Sequence, residues 1–276
     1  MVNSNRPRLS VSSWSLHRSL GRPQIYGPET SEQQSATPTS TPAFTLLELP
    51  ARIAAAGIHT LEICHFHIPS REPAYLQQLR AAIEAAGVEF WELLIDAGDV
   101  TDTDHAERDI TWIESWIDVA SALGASRARV IAGKAEPSIA ALTTSQRALG
   151  RLAQYAQVRG VRLMTENFYN LTSNPDAVLT LLDGLKGEVG LLADFGNWKG
   201  PQKYADLAKI FPRAEACHAK CHFTAPGQME REDYVRCLEL TRDAGFAGPY
   251  TLIYDGPGDD EFEGLRLEAE VVAAYL

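Results

Sequence analysis

Short apolar runs rich in β-formers alternate along this chain with longer stretches in which apolar residues recur at helical period. The strand-like runs lie near residues 8–14, 60–66, 88–95, 127–132, 161–166, 189–195, 214–221 and 249–254. Helical patterns occupy about 46–56, 71–86, 105–123, 138–159, 174–184, 201–211, 230–244 and 260–275. Glycine closes many of the helical stretches: Ala56-Gly57-Ile58, Ala86-Gly87-Val88, Leu123-Gly124-Ala125, Arg159-Gly160-Val161 and Ala244-Gly245-Phe246. Glycine there can take the left-handed conformation of a helix stop, and a strand follows each time. Eight β/α units predict a (β/α)₈ TIM barrel, one domain spanning residues 1–276. A doubly wound sheet is the alternative, but no G-x-G-x-x-G follows any strand.

Residues 21–45 break this rhythm. Ser31-Glu32-Gln33-Gln34-Ser35-Ala36-Thr37-Pro38-Thr39-Ser40-Thr41-Pro42 is polar, Pro-bearing and low in complexity. It follows the first strand, so the barrel reading puts it on the catalytic rim, as a flexible surface insertion or as a substrate lid.

Composition narrows the function. The net charge of −11 argues against a phosphate-backbone binder, which relies on Lys and Arg. The four cysteines, Cys64, Cys217, Cys221 and Cys237, show no disulfide spacing and suit a reducing cytoplasm. Met1-Val2-Asn3-Ser4-Asn5-Arg6-Pro7-Arg8 lacks the apolar stretch of a signal peptide. No run approaches the roughly 20 apolar residues of a membrane helix.

Four segments end an apolar run with ionisable groups: Leu163-Met164-Thr165-Glu166-Asn167, Leu191-Leu192-Ala193-Asp194-Phe195, Ala216-Cys217-His218-Ala219-Lys220 and Leu252-Ile253-Tyr254-Asp255. A parallel barrel brings such distant residues to one rim. Glu166, Asp194 and His218 would there form an O,O,N set suited to Mn, Mg, Co, Zn or Fe. Taken singly, each is as readily a helix cap or an ion-pair partner.

The order and spacing of several motifs add a resemblance. These are Leu61-Glu62-Ile63-Cys64-His65-Phe66-His67, Leu93-Leu94-Ile95-Asp96-Ala97-Gly98-Asp99 and Arg129-Val130-Ile131-Ala132-Gly133-Lys134-Ala135, then Thr165-Glu166-Asn167, Ala193-Asp194-Phe195-Gly196-Asn197-Trp198 and His218-Ala219-Lys220. Together they make the chain resemble the xylose isomerase-like barrels, a superfamily of sugar (phosphate) isomerases and epimerases that also includes endonuclease IV-type enzymes. The resemblance implies one divalent ion held by a Glu on strand five, an Asp on strand six, a His on strand seven and a Glu on strand eight. The first three match Glu166, Asp194 and His218, whereas the fourth falls on Ile253, which cannot ligate. Asp255 has the right chemistry two residues later. Epimerases of this superfamily often use the two glutamates as acid and base on opposite faces of the substrate carbon, so the missing one matters.

Lys220 and His222 are the nearest replacements. Lys220 follows His218 by two residues, and strand alternation points both to one face; its amine would stabilise an enediolate or pair with a structural acid. His67 resembles a strand-two rim histidine that contacts substrate, or it is a core or capping residue. Trp14 and Trp198 would wall a sugar site or pack in the core. Lys134 would bind a phosphate or carboxylate, or be a solvated loop charge. Asp96 and Asp99 would bind hydroxyls or cap the next helix. Cys217-His218-x-x-Cys221-His222 is a poor zinc finger, because a strand spreads these side chains over both faces and no second ligand pair follows.

The expected function is a sugar or sugar-derived keto-acid isomerase or epimerase, metal-assisted, with Glu166 as base, Lys220 as second proton donor or charge, and a small sugar or polyol-derived substrate. A non-catalytic sugar binder on a degenerate barrel is the alternative that Ile253 motivates. An endonuclease IV-like phosphodiesterase fits poorly with seven histidines and an acidic balance. The expected setting is cytoplasmic, without nucleic acid or membrane, as a possible homodimer.

Overall fold

In the computed structural model, which describes residues 6–30 and 38–276, the expected alternation is realised. Strands run over Arg8–Ser12 (β1), Thr60–Cys64 (β2), Glu89–Ile95 (β3), Arg127–Val130 (β4), Arg162–Glu166 (β5), Gly190–Asp194 (β6) and Ala214–Lys220 (β7). A small antiparallel hairpin, Phe223–Ala225 (β8) and Gln228–Met229 (β9), precedes the eighth barrel strand, Pro249–Ile253 (β10). The barrel closes in the order β1-β10-β7-β6-β5-β4-β3-β2, all parallel. This is a (β/α)₈ TIM barrel.

The helices are Leu49–Ala55 (α1), Pro73–Ala85 (α2), Ala106–Leu123 (α3), Ile139–Val158 (α4), Pro175–Gly184 (α5), Lys203–Ile210 (α6), Arg231–Asp243 (α7) and Glu261–Val272 (α8). Their starts and stops follow local chemistry. Ser138 and Asn174 cap α4 and α5 by accepting from Ala141 N–H and Ala177 N–H. α3 stops at Gly124, whose φ of 80° suits a residue without Cβ.

Two layers of apolar side chains result. The larger lies between strands and helices and includes Trp116, Leu149, Leu181 and Tyr234. The smaller fills the barrel interior with Cys64, Phe66, Trp91, Leu94, Leu192 and Ala216. Burying such chains stabilises each by about 1.5–3 kcal/mol. All four cysteines are buried and unpaired.

The expected strands near 8–14 and 60–66 end earlier than their apolar runs. Ser13–Leu16 and His65–His67 wind into 3₁₀ turns instead. Ser12 Oγ accepts from Trp14 N–H, and Ser13 Oγ accepts from Cys64 N–H at 2.9 Å. These local hydroxyl bonds compete with continued strand pairing. The insertion leaves this rim through Arg18 and Ser19, whose N–H groups donate to the buried Glu261 carboxylate at 3.0 and 2.9 Å. Of the expected insertion or lid, residues 21–45, the stretch 31–37 lies outside the described residues.

Candidate active site

Glu166 ends β5, Asp194 ends β6, and His218 sits two residues before the end of β7. The three are buried, and one ligand atom from each lies within 4.8 Å of the others. Each is held separately. Asp194 Oδ1 accepts from Gly196 N–H and Asn197 N–H at 2.5 and 2.8 Å, which leaves Oδ2 facing His218 Nδ1 at 3.6 Å. Glu166 Oε1 accepts from Asn197 Nδ2 at 2.9 Å and faces His218 Nδ1 at 3.5 Å. Asn167 bridges the two strand ends, its Nδ2 donating to Asp194 C=O at 3.1 Å and its Oδ1 accepting from Asp194 N–H at 2.7 Å.

His218 is oriented from below. Its Nε2–H donates to Glu62 Oε2 at 2.8 Å, and Thr251 Oγ1 donates to Glu62 Oε1 at 2.6 Å. That leaves Nδ1 for the Glu166–Asp194 gap. Burial alone would lower the basicity of His218, but the charges of Glu62 and Glu166 and the bond to Asp194 raise it well above the ordinary value. Burial would likewise raise Asp194, yet the His218 bond, the His218 charge and Lys220 hold it below the usual carboxylate range. The gap therefore attracts positive charge.

A divalent ion fits that demand. Ligand atoms about 2.1 Å from a common ion stand about 3.0–3.4 Å apart in tetrahedral or octahedral sets, close to the separations at His218 Nδ1. The carboxylate–histidine pairing below it is the outer support that metal-ligating histidines usually carry.

Arg129, on β4, is the second organising charge. It is buried, with Nη2 at 2.6 Å from Asp96 Oδ1 and Nε at 3.0 Å from Glu166 Oε2. Burial would lower Arg129, but Asp96 and Glu166 hold it firmly cationic. Asp96 is thus an ion-pair partner of Arg129. Asp99 caps a turn, accepting from Thr101 N–H and Lys134 N–H.

A cavity of about 220 Å³ opens above these groups. Its polar lining comprises Ser12, Asp96, Arg129, Glu166, Asp194, Asn197, His218 and Lys220. Trp14, Lys220, Glu166, Asp194 and His218 are therefore brought together around one cavity. Ile253 also lines it, in register with Lys220, so the strand-eight position is apolar and faces the site. Asp255 does not line the cavity; its carboxylate takes Lys220 Nζ at 2.5 Å. The Lys220 stem runs over Gly196, where an added Cβ would come within 2.8 Å of Lys220 Cδ. Burial would lower Lys220, but Asp194 and Asp255 raise it and keep it protonated.

Four other expected residues lie outside the cavity wall. His67 is behind it, with Nδ1 at 2.7 Å from Ser13 Oγ and Nε2 at 3.0 Å from His17 Nδ1. Burial, then His17 and His65, depress its basicity well below the usual range. Trp198 is a core residue whose Nε1–H donates to Thr172 C=O at 3.1 Å. Lys134 is exposed, with Nζ 5.4 Å from the Tyr169 ring centre. His222 is exposed, and its C=O accepts from Glu230 N–H. The alternation on β7 is as expected: Cys217 and Ala219 join the outer core while His218 and Lys220 line the cavity.

The family model described as "Xylose isomerase-like TIM barrel" matches residues 50–274. The chain belongs to that family. No curated protein matches by sequence. Similar solved structures of xylose isomerase-like and epimerase proteins share the fold. A D-allulose 3-epimerase from Methylomonas sp. has a TM-score of 0.70 at 16% identity, covering 100% of both chains. A xylose isomerase-like TIM barrel protein from Mycobacterium smegmatis, in complex with magnesium, gives 0.68 at 13% identity over 100% of both. The 3-keto-D-glucoside 4-epimerase of E. coli gives 0.67 at 13%, covering 98% of this chain and 99% of its own. Among the described residues, no helix is long and apolar enough to cross a membrane.

Within this xylose isomerase-like frame, Glu62, Arg129 and Asn197 are site residues to which sequence reasoning gave no role. Glu62 and Arg129 had a signal: an ionisable residue inside an apolar strand must find a partner when buried. Asn197 had none beyond its nearness to Asp194.

The rim after β5 is strained. Tyr169 has φ +64°, a left-handed value unusual for a bulky aromatic and costing about 1–3 kcal/mol. Bonds on either side enforce it: Thr172 Oγ1 receives Phe168 N–H at 2.9 Å, and Asn170 Nδ2 donates to Glu136 Oε1 at 2.8 Å.

Proposed function

We propose that this protein is a sugar or sugar-derived keto-acid isomerase or epimerase that abstracts a proton next to a carbonyl. The observation that carries the reading is the convergence of Glu166, Asp194 and His218 at one mouth of the barrel. Glu166, Asp194 and His218 would hold a divalent ion. When bound, such an ion supplies Lewis acidity that polarises a carbonyl, worth several kcal/mol of charge stabilisation.

The chain's own residues do the rest. Glu166 accepts the α-proton, leaving an enediolate. Arg129, at Oε2, orients this carboxylate. Asn197 fixes Oε1. Lys220 places an ammonium on the cavity wall beside apolar Ile253, where it offers charge and a proton to the enediolate. Asp255 holds that ammonium. The sugar substrates of the epimerases that share this fold agree with the reading.

The test is solvent-hydrogen exchange. Mn²⁺-loaded protein is incubated in D₂O with ketopentoses, ketohexoses and keto-glycosides, and deuterium next to the carbonyl is followed by NMR. Exchange should occur with at least one, and Glu166→Gln should slow it by about 10²-fold or more. A second reading, a non-catalytic sugar binder, draws on Ile253 at the usual ligand position. Calorimetric binding of a ketose with no deuterium entering it would favour that reading and end the first.

A further inference from the structure

The cavity has apolar lining residues that the chemistry above does not use: Trp14, Ile25, Phe66, Leu94, Phe168 and Tyr169. Few large apolar residues are exposed among the described residues, yet Ile25 and Tyr169, 56% and 40% exposed, both line this mouth. Ile25 is carried by the segment after β1, and Tyr169 by the segment after β5. In the closed strand order β1 and β5 stand four strands apart either way round, so the two come from opposite sides of the barrel. Tyr169 is also held in its left-handed backbone by the pinned loop around it. Strained backbone of this kind collects at ligand clamps.

A free sugar presents hydroxyls along its whole length, and each needs a partner when desolvated. These apolar lining residues offer few. We infer that the cavity selects a sugar-derived α-hydroxy-carbonyl compound with an apolar far end, such as an aryl or alkyl substituent, and that Ile25 and Tyr169 clamp that end. The inference rests on the proposed function for the polar head and adds the class of the tail.

The probes are 2-hydroxyacetophenone and dihydroxyacetone, which share an α-hydroxy-ketone head and differ in the aryl tail. Their affinities for the Mn²⁺-loaded protein are measured by calorimetry. The aryl ketone should bind at least about tenfold more tightly, as burial of a ring requires. In Tyr169→Gly and Ile25→Ser that ratio should fall below about threefold, by the same burial argument. Glycine adopts φ +64° freely, so Tyr169→Gly should keep its thermal midpoint while losing the tail preference. A ratio near one in the wild type, including no binding of either probe, overturns the inference, as does a ratio kept in both variants. Deuterium exchange into simple ketoses reads the head chemistry alone, so that reading can survive or fail independently.

Discussion

Replacing Glu62 by Gln isolates the support beneath the proposed metal ligand. The side chain is fully buried, and its two oxygens accept from His218 Nε2 at 2.8 Å and Thr251 Oγ1 at 2.6 Å. Glutamine keeps the shape and can still offer one carbonyl oxygen to His218 Nε2–H, but it removes the charge. A hydrogen bond to a charged group contributes about 1.5–3 kcal/mol and a neutral one about 0.5–1.5 kcal/mol. The difference, about 1–1.5 kcal/mol, converts to a loss of roughly tenfold in metal affinity. That agrees with the about 10–100-fold effects seen when such outer partners are mutated. The assay is equilibrium dialysis of Mn²⁺ against wild type and Glu62→Gln, with metal-free thermal midpoints measured alongside. Folded variant with an Mn²⁺ Kd within twofold of wild type would refute the view that Glu62 tunes His218.

Three other substitutions test neighbouring parts of the argument. Asp255→Asn should leave Mn²⁺ affinity within about twofold, because Asp255 is committed to Lys220 and lies off the cavity wall; a tenfold loss would make it a ligand after all. Ile253→Glu should tighten Mn²⁺ binding by about tenfold or more, since it restores a carboxylate at the strand-eight position; weaker binding on dialysis would show that Lys220 captures the new acid. Glu268 is buried beside Cys221 and Tyr234, and burial raises its carboxyl well above the ordinary range. Its folded pKa exceeds its unfolded one, so stability falls as pH rises above about 4.5, by about 1.4 kcal/mol per pH unit until the folded value is passed. Glu268→Gln should therefore gain on wild type in urea melts between pH 5 and 8, and parallel curves would contradict this.

What was legible in the sequence followed from periodicity, and what was hidden followed from pairing across the barrel. The eight barrel strands and eight helices lie within a few residues of the expected ranges because strands buried on both faces read as short apolar runs and amphipathic helices impose a period of 3.6. The convergence of Glu166, Asp194 and His218 was legible for a related reason: a strand end is a local feature, and the barrel's topology fixes where every strand end goes. Arg129 shows the limit. Nothing around Ala128-Arg129-Val130 says that its guanidinium will reach Asp96 on β3 and Glu166 on β5. Lys134, Trp198 and His222 show the converse, since each has suitable chemistry near a strand end, yet a loop or turn carries it off the cavity wall. The absent strand-eight glutamate now reads differently. Ile253 lines the cavity beside Lys220, so under the inferred substrate class the residue that cannot ligate is also a contact for the apolar end. On that view Ile253→Glu should trade one property for the other, tightening metal while weakening the aryl ketone, and a variant that improved both would separate them.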